Sequence, residues 1–222
     1  MPPRAARLTV SIDVVIITPV TGRLAVLLRR VPGAGRRWSL PSGLLRGDEA
    51  LEAAATRVAR EALGGAPAWM EQVGAAGGEK RHLSGAGLSI CFAALAPLGT
   101  AAPDDGLAWL PVSALPPLAP RERAEAESAV AMLRARLDRS PIAFRMLPAT
   151  FTLSELQSIY ELLLGRRLHK ASFRRALQAA RLVSATDQWR REGRGRPAQL
   201  FRYAPRRRRT ERRSIRFDQL PN

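Results

Sequence analysis

Cysteine occurs once in the 222 residues, as Cys91, and histidine twice, as His82 and His169. A single thiol closes no internal disulfide, and a Cys-based zinc cluster lacks its ligands. With two histidines, no cysteine near them and no Gly-x-Ser-x-Gly elbow, nucleophilic triads are excluded as the basis of function. Walker and dinucleotide-binding glycine signatures are absent too, as is any internal repeat. No apolar run approaches the roughly 20 residues of a membrane span. The two arginines near the N-terminus precede an apolar stretch, but Asp13 and Pro19 interrupt it and no small-residue cleavage pattern follows, which argues against a signal peptide. A cytoplasmic protein is expected.

What the chain has is apolar material and positive charge. Apolar residues make up 46%, enough for a packed core in one large or two modest domains. The net charge is +17, and it is unevenly spread. Residues 1–138 hold 16 Lys+Arg against 13 Asp+Glu, whereas residues 139–222 hold 20 against 6. Such asymmetry favours a polyanion, because arginines that displace counterions from a phosphate backbone gain affinity. Nucleic acid is the favoured partner and anionic membrane the competing one. A third reading is a merely solvated basic face in a chain that writes Arg for Lys; that bias sets residue type, not net charge.

Leu8–Thr18 and Leu24–Leu28 are Val/Ile/Leu-rich strand candidates around a turn at Pro19–Gly22. Asp48 is placed to cap a helix from about Glu49 to Leu63, which Gly64-Gly65 ends. Ser89–Leu95 and Leu107–Leu110 supply further strands. Arg121–Leu137 has helical spacing through Ala126, Val130, Leu133 and Leu137. Ser140-Pro141 and Leu147-Pro148 punctuate the chain where the charge balance changes. We therefore expect an N-terminal domain over 1–138, a second over 139–205 and a basic tail over 206–222.

The second part opens with Thr152-Leu153-Ser154-Glu155, a capping box, and Gly165 closes the helix. Leu153, Leu156, Ile159/Tyr160 and Leu163 form its buried stripe. A second helix is expected from Lys170 to Arg181, with Phe173, Leu177 and Ala180 inward and Arg174, Arg175 and Gln178 outward. Two short helices with a basic outer face suggest a helix-turn-helix. Leu182–Ala185 and Ala198–Tyr203, flanking a Gly/Arg-rich tip at Gly193–Pro197, read as a β-hairpin wing.

Gly43–Gly65 resembles the Nudix box, G-x5-E-x7-R-E-U-x-E-E-x-G-U. Glu49, Arg57, Glu61 and Gly64 fall in frame, but Val58 and Ala62 stand where two glutamates belong, and Gly65 where the final aliphatic residue belongs. In a working box, positions 58, 61 and 62 share a helical face, so their carboxylates converge on magnesium that bridges a diphosphate and activates water. One of the three remains, and as an alternative to a metal role Glu61 pairs with Arg57 four residues earlier. No catalytic or metal-ligating set is assigned.

The order of the Nudix-like box, Trp109-Leu110-Pro111-Val112, Leu147-Pro148, Phe151–Gln157, Tyr160-Glu161, Leu164-Gly165-Arg166, Phe173-Arg174-Arg175 and Gly195–Ala198 resembles the Nudix-related transcriptional regulators of NAD metabolism, the NrtR type. The resemblance implies an α+β chain: a Nudix-like α/β/α sandwich with a mixed sheet, then a winged helix. It also implies a homodimer on palindromic double-stranded DNA and an inactive Nudix fold sensing a nucleotide effector such as ADP-ribose, with no required cofactor and no membrane. The family string Arg-Asp-Pro-Arg-Gly-Arg reads Arg81-His82-Leu83-Ser84-Gly85-Ala86 here, and His169 replaces the usual Asp cap of the recognition helix, leaving Ser172 as an alternative cap. Lys170, Ser172, Arg174, Arg175, Gln178 and Arg181 form the expected DNA-contacting set, with Arg194 and Arg196 at the minor groove. Arg29, Trp38, Arg57, Glu61 and Arg81 are the expected effector contacts, since a base needs an aromatic face and a diphosphate needs arginines; Trp38 is equally well read as core. The other function class is a nucleoside diphosphate hydrolase with a nucleic-acid-binding C-terminal part.

Overall fold

The computed structural model describes residues 8–33, 37–77, 84–102, 106–137, 140–191 and 197–204. Among them, seven strands form one mixed sheet. Strand β1 (Val10–Val20) pairs antiparallel with β2 (Arg23–Arg30) and β4 (Ser42–Leu44), and parallel with β6 (Leu88–Leu95). The short β3 (Trp38–Ser39) and β7 (Leu107–Pro111) flank β2, and β5 (Trp69–Gly77) flanks β6.

Both faces of β1 are covered, and alternation assigns its side chains. Ile12, Val14 and Ile16 join a core with helix α1 (Leu51–Leu63) through Ala54, Ala55, Val58, Ala59 and Ala62. Val15 and Ile17 join the opposite core with helix α2 (Pro120–Leu137) through Ala126, Ala129, Val130, Leu133 and Leu137. Ser11 and Asp13 have the α2-face parity yet are fully buried; Ser11 Oγ and Ser89 Oγ both donate to the Asp13 carboxylate, at 2.8 and 2.5 Å.

The α2-side core does not stop at the sheet. It continues through the 3₁₀ turn Ile142–Met146 into helices α3 (Leu153–Leu164) and α4 (Lys170–Ala180). Phe144, Phe151, Tyr160, Phe173 and Tyr203 form a chain of edge-on and tilted ring contacts at 4.6–6.4 Å, a favoured aromatic geometry. Strands β8 (Val183–Arg190) and β9 (Ala198–Tyr203) form the closing antiparallel hairpin.

Several local expectations change. Asp48 does not cap α1: the backbone turns at Arg46–Glu49, where Glu49 N–H donates to the Arg46 carbonyl at 2.9 Å, and the helix starts at Leu51 behind Ala50 with no side-chain cap. Nor does the cap of α4 move to Ser172, since the helix begins at Lys170 behind His169. Pro19 and Val20 belong to β1, and the turn is Thr21-Gly22, both at positive φ. The hydrophilic stretch after Ala185 is strand as far as Arg190, with an irregularity between Ala185 and Trp189 that keeps it in register with β9. The capping box of α3 is present in full, and Gly165 ends that helix at φ 71°.

Candidate nucleic-acid interface and effector cavity

In α4 the apolar residues are spaced for one face, so Phe173 and Leu177 are buried against α3 and Arg174, Arg175 and Gln178 are exposed on the other side. Lys170 is exposed at the start of the helix. Arg181 is exposed at its end, in a left-handed conformation (φ 49°). Ser172 departs from the expected set: it is 7% exposed, and its hydroxyl sits 3.2 Å from His169 Nδ1 and 3.4 Å from Arg175 Nη2. It orients Arg175 rather than facing outward. Arg194 and Arg196 lie outside the described residues, as does the tail from 206 onward.

The turn into α4 is set by a residue that the sequence reading passed over. Glu161 accepts hydrogen bonds from the Leu168 N–H and Gln157 Nε2, both at 2.9 Å, and from Arg167 at 3.1 Å. Burial works to raise its pKa, but the bonds from Leu168, Gln157 and Arg167 outweigh it and hold the carboxyl below its ordinary range. The anion thereby fixes the corner between α3 and α4. The only sequence signal for this was an acidic residue beside the buried stripe of α3.

The wing is tied to the same unit. Phe151 and Phe201 exchange backbone hydrogen bonds at 2.9 and 2.8 Å, and Arg190 binds Glu155 at the start of α3 through two bonds of 2.8 and 3.1 Å. Exposed on the hairpin are Gln188, Trp189 (58%), Arg191 and Arg202.

The Nudix-like box gives a different picture. Arg57 lies against Glu49 through Nε and Nη2 at 3.0 and 2.9 Å, and 3.7 Å from the exposed Glu61, which is also 4.0 Å from Arg46. The hydrogen bond from Arg57 holds the Glu49 carboxyl below its usual range. Val58 and Ala62, at the two glutamate positions of the frame, are packed in the α1 core, and Val58 Cγ2 would touch a Cβ on Gly43 at 3.0 Å. These side chains do not fit the magnesium cluster of a hydrolytic box. Among the described residues no group of three or more His, Cys, Asp or Glu is arranged to hold a metal ion.

The expected effector contacts divide between the two faces of the sheet. Arg57 and Glu61 belong to α1, whereas Trp38 packs against the α2-side core with Arg30, not Arg29, over its ring at 5.4 Å. Arg29 is half-buried in β2, paired with Ser39 and Leu107. Arg81 lies outside the described residues. A cavity of about 620 Å³ opens instead between β5 and α2, lined by Val73–Gly77, Cys91, Pro120, Arg121, Ala124, Glu125 and Ser128. Arg121 reaches from α2 to the sheet: Nη2 donates to the Ala76 carbonyl at 2.7 Å and Nη1 to Ser89 Oγ at 3.5 Å, next to the buried Ser11–Asp13–Ser89 group. Its apolar walls and few convergent polar groups are those of a small-molecule site. The sequence signal was Glu125 beside the inward stripe of α2; its neighbour Glu122, also buried, instead accepts the Leu40 and Ala119 backbone N–H groups at 3.0 and 3.3 Å.

An open basic helix on a helix-turn-helix with a hairpin wing, joined through one core to a sandwich whose box has Val58 and Ala62 in place of two carboxylates, defines a winged-helix DNA-binding protein built on a Nudix fold. Residues 7–133 match the NUDIX domain and residues 143–203 the NrtR DNA-binding winged helix domain. The chain belongs to the NrtR family of transcriptional regulators. It is 32% identical over 204 residues to the ADPR responsive transcriptional repressor NtrR of Acinetobacter baylyi, covering 87% of this chain and 81% of that protein. The crystal structure of Shewanella oneidensis NrtR complexed with a 27mer DNA superposes with TM-score 0.76 at 30% identity, covering 88% of this chain and 94% of that one. A MutT/nudix family protein from Enterococcus faecalis shares the fold, with TM-score 0.72 at 17% identity over 90% of each chain.

Proposed function

We propose that the protein is a transcriptional repressor that binds a palindromic operator as a homodimer and responds to ADP-ribose or a close relative through its Nudix-like part, without hydrolysing it. The observation that carries this reading is the face of α4. Arg174, Arg175 and Gln178 point away from the Phe173/Leu177 core, where arginine reads guanine and glutamine reads adenine in the major groove. Lys170 and Arg181 at the two ends are placed for phosphates. The Arg194/Arg196 tip is assigned to the minor groove by sequence alone. The working division is an effector part over 1–138, a DNA-binding part over 139–205 and a basic tail over 206–222.

The cavity between β5 and α2 is the effector site in this reading, with Arg121 as its cation. It joins Arg29, Trp38, Arg57, Glu61 and Arg81 as a candidate effector contact surface because apolar wall and polar groups converge there. The absence of hydrolysis follows from the Val58 and Ala62 side chains, which leave a water-activating metal without two of its carboxylates.

Footprinting on the DNA upstream of the protein's own gene, with and without ADP-ribose, tests partner and effector together. A protected palindrome whose protection changes with ADP-ribose supports the reading. Magnesium-dependent hydrolysis of ADP-ribose at ordinary enzymatic rates, lost in Glu61→Gln, would establish the hydrolase instead.

A further inference from the structure

Helix α2 serves two sites at once. Near its start, Pro120, Arg121, Ala124, Glu125 and Ser128 form one wall of the cavity. Towards its end, Leu133 and Leu137 are buried in the same core as Leu156, Tyr160 and Leu163 of α3. Between these ends Ala126, Ala129 and Val130 hold the rod on the sheet. From Arg121 to Arg134 the helix rises about 20 Å without a break. A helix packed along its length does not bend to absorb a displacement at one end, so a shift at the cavity is carried to the other.

The contact at that other end is specific. Arg134 Nε donates to the Leu163 carbonyl at 3.1 Å, one of the last carbonyls of α3, which have no partner within their own helix. A cation at a helix C-terminus is also favoured by the helix dipole. Arg134 Nη2 lies 3.5 Å from where a Cβ would stand on Gly165, the left-handed residue at which the chain turns from α3 towards α4. Arg134 therefore grips the corner that sets the direction of the DNA-facing helix.

We propose that Arg134 is a positioning residue that transmits occupancy of the α2 cavity to the winged helix. The inference rests on the reading that the effector occupies this cavity. Ligand against Arg121 and Ala124 displaces α2 on the sheet, and Arg134 carries that displacement into the α3–α4 corner. It touches neither effector nor DNA.

The test uses full-length protein and its upstream DNA, with operator Kd measured by fluorescence anisotropy with and without saturating ADP-ribose, and ADP-ribose binding measured by calorimetry. Wild type should change its operator Kd about 5–150-fold on adding ADP-ribose, the usual span of allosteric coupling. In Arg134→Ala that change should fall below threefold, while ADP-ribose Kd without DNA stays within threefold of wild type; Arg134→Lys should keep part of the response. A full wild-type response in Arg134→Ala overturns the inference, and if that variant does not fold, a full response in Arg134→Lys with no loss does so. Ala124→Trp, which fills the cavity from an exposed position, separates the two levels. Blocked ADP-ribose binding in Ala124→Trp with an unchanged response in Arg134→Ala sinks the role of Arg134 alone. Undiminished ADP-ribose binding in Ala124→Trp sinks the effector site and the inference with it.

Discussion

Arg57 holds Glu49 through a two-bond guanidinium–carboxylate contact, at 3.0 and 2.9 Å across eight residues. Glu49 lies outside the carboxylate set at positions 58, 61 and 62 that gathers magnesium in a hydrolytic box, and the arginine holds it in place. The pair closes the loop between β4 and α1, with Arg57 Nη2 also donating to the Leu44 carbonyl at 3.1 Å. This part of the Nudix frame is a structural clasp.

Restoring the two missing glutamates should therefore damage the fold before it makes an enzyme. Val58→Glu with Ala62→Glu places carboxylates among Ala54, Ala55 and Ala59, and a buried polar group without a partner costs about 1–3 kcal/mol. Thermal denaturation should show a clear loss of stability, and the variant should release no product from ADP-ribose with magnesium. Turnover without loss of stability would contradict the packed placement of Val58 and Ala62.

DNA binding should divide by residue. Arg174→Ala and Arg175→Ala should each weaken operator binding by about 1–3 kcal/mol and relax sequence preference. Lys170→Ala should weaken all sequences alike and lower the salt slope by about 1. Anisotropy titrations on operator and scrambled DNA over a salt series distinguish these outcomes.

Much of this was legible in the sequence. Apolar runs marked β1, β2 and β6, and the i, i+4, i+7 spacing of Phe173, Leu177 and Ala180 fixed which side of α4 is open. Strand β5 was not legible: Trp69–Gly77 is rich in Ala and Gly, and its strand conformation comes from pairing with β6. The cavity was missed for the same reason, since one of its walls is that strand. The start of α1 was misplaced because Asp48 has the composition of a cap, whereas the chain turns through Arg46–Glu49 and the helix starts behind Ala50 without a side-chain cap.

Acid should weaken the winged helix at the start of α3. Burial tends to raise the Glu155 pKa, but its bonds from the Thr152 backbone N–H, Arg190 and the Thr152 hydroxyl prevail and lower it. A carboxyl depressed in the folded state stabilises above its unfolded pKa, about 4.3, and that contribution is lost as pH falls through the folded value. Thr152→Ala should cost about 0.5–2 kcal/mol at neutral pH, the range for an N-cap. In Glu155→Gln, the stability deficit against wild type should shrink below about pH 4. Denaturant unfolding of wild type and variants across pH 3–7 measures both.

Cys91 should be inert in the native protein although it borders the cavity. Burial, reinforced by Glu125 and Asp13, pushes its thiol far above the ordinary range, so thiolate is scarce. Alkylation by iodoacetamide at pH 8, followed by mass spectrometry, should be slow until the protein is unfolded. Rapid labelling of folded protein would contradict the buried placement.

The core that begins at Val15 and Ile17 runs without interruption through Leu133 and Leu137 to Tyr160 and Phe173. A DNA-reading module attached in this way is grafted, not tethered. Severing the chain near residue 139 would lay bare an oily face on each fragment, so neither half is a ready part for exchange. Any descendant that traded its reading head would have had to recut the seam of α2 and α3 at the same time.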